Sequence, residues 1–104
     1  MATREKKEAI DDRALSIAGH SISEAEFNGC VRLALRTLAA RGEFSPNKTS
    51  RQASLDPSFL RRVMQGKRSI GLFTLFKIAS ASDSSAQDIV ELIEGELRKQ
   101  VTDP

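Results

Sequence analysis

The chain has 104 residues, enough for one domain with a modest core and little beyond it. Hydrophobic residues make up 39% and charged residues 29% of it, an ordinary globular mix, and no apolar run nears the roughly 20 residues of a membrane-spanning helix. The net charge of +2 conceals a division: residues 41–68 hold seven basic side chains against two acidic ones, whereas residues 83–104 hold six acidic against two basic. Charge separated in this way speaks against diffuse stickiness and for an oriented contact with a polyanion.

Residues 1–22 read as an extension. Its opening, MATREKKEAIDD, alternates charge without the apolar centre of a secretory signal, and a single cysteine, Cys30, has no internal disulfide partner, so the cytoplasm is the expected location. Ile10, Ala14 and Ile17, with Leu15 and Ala18 beside them, lie at helical spacing, and Gly19, His20 and Ser21 would end such a helix. A docked amphipathic helix and a solvated arm both satisfy this pattern. No segment shows the alternation of a strand, so the expected class is all-α.

Five helices follow. Ser23 and Glu26 predict a capping box for the first, with Ile22 and Phe27 as a hydrophobic staple and Phe27, Val31, Ala34, Leu35 and Leu38 as an apolar stripe edged by Cys30. Cys30 reads as small core filler. Arg41 and Gly42 suit that helix's C-terminus. Ser45 and Pro46 start a short polar second helix that runs to about Ala53. Asp56 and Pro57 start a third, stapled by Leu55 and Leu60 and stopped at Gly66, with Leu60 and Val63 inward and Arg61 and Arg62 outward. The fourth, over about 71–81, is expected to bury Leu72, Leu75, Phe76 and Ala79. Ser85 and Asp88 cap the fifth, whose apolar residues are Ala86, Ile89, Val90, Ile93, Leu97 and Val101.

Two segments, ASLDPSFLRRV (53–63) and GKRSIGLFTLFKIA (66–79), follow one another at a spacing that resembles the Cro/lambda-repressor-like helix-turn-helix family over residues 31–90. The resemblance implies a compact five-helix DNA-binding domain over 23–90, with 1–22 as the N-terminal extension and 91–104 as a lengthened last helix. This chain departs from the family at several places. Pro46 stands where a Gln is usual, Thr49 and Ser50 where Leu and Ala are usual, and Ser54 where Gly is frequent. The Arg and Glu that many relatives pair near the ends of the first and third helices are here Ala39 and Met64. Both partners are absent together, so no charge is left buried alone.

The resemblance assigns base reading to Pro57, Ser58, Arg61 and Arg62. Proline offers only its ring to a thymine methyl and serine discriminates little, so the two arginines carry the expected specificity. Phe59 either wedges against thymine methyls or packs on a neighbouring helix. Ser45, Asn47 and Lys48 at the start of the second helix, and Gln65, Lys67, Arg68 and Ser69 after the third, are the expected phosphate clamps. One domain covers few phosphates, so binding calls for two copies on a palindromic site. Phe73, Ile89, Ile93, Leu97 and Val101 are the expected dimer contact, unless the N-terminal segment covers Phe73 and Leu97 within one chain.

No catalytic, metal-ligand or cofactor motif is visible. His20 is the only histidine and is expected in a linker, and GKRS lacks the strand and earlier glycine of a phosphate loop. The expected function is a homodimeric transcriptional regulator, by resemblance a repressor, that binds double-stranded DNA without a cofactor. The alternative is a protein-interaction module, such as an antitoxin or anti-activator, whose apolar helices cap a partner protein.

Overall fold

The computed structural model describes residues 14–102, so Ile10 of the expected N-terminal helix lies outside them. Ala14–Ile17 (β1) and His20–Ser23 (β2) form no helix; they pair antiparallel, with Leu15 opposite Ile22 and Ile17 opposite His20. Only Ala18 and Gly19 connect the strands, with φ of 52° and 82°, as in a two-residue turn whose twist matches its strands. Opposed residues share a face, which puts Leu15, Ile17 and Ile22 on one side. Ile22 is buried and Ile17 half-buried. The architecture is therefore mostly helical with a small two-stranded sheet, and His20 belongs to a strand. Strands of four residues expose too few apolar positions to separate a period of two from one of 3.6, so Ala14 and Ile17 also fit a helix.

Helix α1, Glu24–Ala40, begins with the expected capping box: Glu26 N–H donates to Ser23 Oγ at 3.1 Å and Ser23 N–H donates to Glu26 Oε1 at 2.8 Å. It ends on Gly42 at φ 77°, where Gly42 N–H reaches the Ala39 carbonyl and Glu43 N–H the Leu38 carbonyl. This pairing satisfies the last carbonyls of the helix. Helix α2 spans Pro46–Gln52, α3 Pro57–Met64, α4 Leu72–Ser80 and α5 Ala86–Thr102. Ser45 and Asp56 cap α2 and α3 by accepting from Lys48 N–H and Ser58 N–H. Ser85 and Asp88 exchange the two bonds of a capping box at the start of α5.

The core gathers on α1. Cys30, Ala34, Leu35 and Leu38 are sealed from solvent and meet Leu60 and Val63 of α3, Ile78 of α4 and Ile89 of α5 in one cluster. Helix α1 lies against α5, α3 and β2, while β1 rests on α5. Burial pushes the Cys30 thiol above its ordinary pKa, and the carboxylates of Glu96 and Glu26 add to the shift. It remains a protonated packing group.

Two packing expectations are overturned. Leu72 and Phe76 are exposed, and Ile78 joins Leu75 and Ala79 as the buried side of α4. Ile89, Ile93 and Leu97 are buried within the chain and Val101 is half-buried against its core, so they form no open seam for a second subunit. The β-hairpin and α1 supply the cover that helical spacing alone did not reveal. Phe73, by contrast, is 78% exposed.

The α2–α3 connection holds two local costs. Ser54 sits at φ 55°, a left-handed conformation that disfavours side chains with a Cβ. Thr49 is completely buried and its Oγ1 has no hydrogen-bond partner. Its neighbour Ser50 is satisfied, donating to the Leu55 carbonyl at 2.6 Å and tying α2 to the turn. Thr49→Val, of similar shape without the hydroxyl, is expected to raise the unfolding free energy by about 1–2 kcal/mol in urea titration. Ser54→Gly should add about 1 kcal/mol in the same measurement, and Ser54→Val should lower it.

Candidate nucleic-acid interface

Helix α3 is seated by its apolar side and presents its polar one. Leu60 and Val63 are each 1% exposed, which fixes the helix's rotation about its axis and leaves Pro57, Arg61, Arg62 and the C-cap Gln65 on the surface. Arg61 Nη2 makes one long contact, 3.4 Å, to Ser58 Oγ on the same helix. The Arg62 guanidinium has no hydrogen-bond or ion-pair partner among the described residues. Both guanidinium groups are therefore open to an external acceptor.

Phe59 does not project with them. Its ring is half-buried against the core, and the Arg68 guanidinium lies over it at 5.4 Å from the centroid. That contact is a cation–π stack. It holds one expected phosphate ligand, Arg68, against one expected base reader.

The two expected phosphate clamps are unequal. In the first, Ser45, Asn47 and Lys48 are all exposed. Yet Pro46 has no N–H to offer, and that of Lys48 is taken by Ser45 Oγ, so Asn47 supplies the free backbone donor of the first turn. In the second, Gln65, Lys67 and Arg68 are exposed on either side of Gly66, whose φ of 75° turns the chain out of α3. Ser69 departs from its expected role. Its hydroxyl lies 2.7 Å from Glu24 Oε2 and 3.0 Å from Asn28 Oδ1. A hydroxyl has one proton to give, and the carboxylate is the stronger acceptor. The serine is committed to α1, and the Glu24 carboxylate beside it repels a phosphate.

Helix α1 contributes two cations that sequence reasoning missed. Arg36 is exposed and lines a cleft between α1, α2 and α3 together with Asn47, Ser50, Pro57 and Arg61. Arg32, one turn earlier, passes beside Gly66: a Cβ added there would stand 3.5 Å from Arg32 Cδ and 3.7 Å from Gly29 Cα. The end of α3 thus rests directly on α1. The only signal in the sequence was the i, i+4 spacing of two arginines off the apolar stripe of the first helix. Arg51, exposed on α2, extends the basic surface. The acidic Asp83, Asp88, Glu91 and Glu94 are exposed on α5 and the segment before it, elements that do not carry this surface.

Comparison with known proteins finds no matching family model, no matching curated protein and no matching solved structure. Among the described residues no helix is long and apolar enough to cross a membrane, and no group of three or more His, Cys, Asp or Glu side chains is placed to hold a metal ion. Phe59→Ala is expected to cost about 2 kcal/mol of stability in chemical denaturation, about half the loss of a fully buried phenylalanine. Unchanged stability would mark the ring as a surface group free to meet a ligand.

Proposed function

We propose that this chain is a sequence-specific DNA-binding regulator of transcription, a divergent helix-turn-helix protein of the Cro/lambda-repressor-like kind, in which α3 enters the major groove. The observation that carries the reading is the pair Arg61 and Arg62, exposed on the solvent side of a helix whose inner side is locked by Leu60 and Val63. A planar guanidinium spans the O6 and N7 acceptors of guanine, and two successive arginines favour a G-containing half-site. Lys48, Lys67, Arg36 and Asn47 flank α3 from neighbouring elements and position it through phosphates. The chain acts as a repressor by occupying its operator, and two copies on a palindrome supply the affinity that one small basic surface lacks.

Selection of bound sequences from a random duplex pool tests this reading, with an enriched palindrome as the expected result. On the selected duplex, Arg61→Ala or Arg62→Ala should weaken binding by about 5- to 150-fold, corresponding to about 1–3 kcal/mol, while binding to a scrambled duplex changes far less. Lys48→Ala should weaken both duplexes evenly and flatten the salt dependence. Failure to enrich any sequence, together with affinity indifferent to salt, would remove the DNA reading.

A second reading, a protein-interaction module of the antitoxin or anti-activator kind, is favoured by one observation: Leu72, Phe73, Phe76 and Val90 are all exposed. An Arg61→Ala/Arg62→Ala double variant separates the two, because partner capture through that apolar face would survive it.

A further inference from the structure

The largest exposed apolar side chains of α4, Leu72, Phe73 and Phe76, are 71%, 78% and 56% exposed. Isolated exposed apolar residues are commonplace; three within five positions of one helix, with Val90 of α5 also exposed, form a contiguous patch of the kind that marks a contact surface. Adjoining it is an apolar groove between α1, α4 and α5. Leu75, Ile93 and Leu97 are buried along it, while Gly71, Leu72, Val90 and Glu94 are its exposed residues. Glu94 is the one charged residue of that lining. On α4 itself the one charge is Lys77, whose Nζ lies over the Phe73 ring at 5.8 Å from its centroid and pairs with no described carboxylate.

A projecting aromatic with a cation above it, beside an apolar groove with one anion, is complementary to itself. We propose that this face binds a second copy of the chain across a two-fold axis, Phe73 of each protomer entering the groove of the other and Lys77 of each meeting Glu94 of the other. Two-fold symmetry requires every contact to occur twice with the roles exchanged, and knob, groove, cation and anion are each available on one surface for that purpose. The contact is an α4-to-α5 one. It replaces the seam expected along Ile89, Ile93 and Leu97, which the chain's own core has consumed. It deepens the operator reading by naming how two copies join, but it stands or falls without DNA.

Sedimentation of the full-length chain in the absence of DNA tests it. A reversible monomer–dimer equilibrium is expected. Phe73→Glu, at a solvent-exposed position that leaves the fold intact by circular dichroism, should raise the dimer dissociation constant by on the order of 30-fold or more. Lys77→Glu and Glu94→Lys should each weaken the dimer by on the order of tenfold, and the Lys77→Glu/Glu94→Lys double variant should recover most of that loss. A monomeric wild type at about 1 mM overturns the proposal and leaves the patch to a different partner. So does a dimer indifferent to Phe73→Glu, or one that the double charge exchange fails to restore. Since no DNA is present, a negative result here leaves the operator reading untouched, and a failed selection of duplexes leaves the dimer untouched.

Discussion

Everything in this fold is built on the apolar stripe of α1. Cys30, Ala34, Leu35 and Leu38 are closed to solvent because α3, α4 and α5 all contribute to the cluster around them, and the hairpin adds Ile22. A helix with several partners on one side has little rotational freedom left. Its flank beside α3 is fixed by default, and that flank carries Arg32 and Arg36. Their place beside the end of α3 and in the cleft with Arg61 follows from the same burial that makes the core. Hydrophobic burial is non-directional, so the direction comes from where the stripe lies in the sequence.

Turn chemistry supplies the angles that burial leaves open. Three of the helix ends pass through left-handed residues, Gly42, Ser54 and Gly66. Gly42 and Gly66 adopt that conformation without a steric cost, and each is followed by a residue whose N–H closes back on the helix just ended: Glu43 on Leu38, Lys67 on Arg62. At Ser54 the same reversal is made by a residue with a Cβ, with Leu55 N–H closing on the Ser50 carbonyl. The strain is tolerated because Ser50 Oγ and Leu55 tie the turn from both sides. This is the turn that sets α3 against α2. The chain accepts a local penalty, along with the orphaned Thr49 hydroxyl, at the segment proposed to meet DNA. Departures from local consistency gather where function competes with stability.

What could be read from the residues was mostly local. Capping boxes at Ser23–Glu26 and Ser85–Asp88, the Ser45–Pro46 and Asp56–Pro57 starts and the Gly42 and Gly66 stops each depend on neighbours within a few positions, and each appears as expected. The inward Leu60 and Val63 and outward Arg61 and Arg62 follow from one helical period. The misreadings were about partners. Ala14–Ile17 needed its pairing strand before it was anything but ambiguous. Ile89, Ile93 and Leu97 looked like surplus apolar area because the hairpin and α1 that cover them lie far earlier in the sequence, before Arg41. Leu72 and Phe76 looked buried because a helix apolar nearly all round does not announce which side its neighbours take. Ser69 looked like a clamp residue because Glu24, its true partner, is 45 positions earlier.

The same geometry explains why a basic and an apolar surface coexist in so small a domain. Helix α1 is the common wall. Helix α3 packs on it and carries cations, α5 packs on it and carries acids, and α4 lies against α5 with its surplus phenylalanines outward. A polyanion approaching the arginines is steered away from the acidic elements. Had the apolar patch instead lain among Arg61 and Arg62, any protein docked there would have screened the guanidinium groups from DNA. By assigning the exposed phenylalanines to α4, which carries neither Arg61 nor Arg62, the fold keeps the apolar patch and the arginine pair on separate helices. Under the proposed reading, that separation is what would let two joined chains present both α3 helices to the halves of an operator, by helix placement alone and without any moving part.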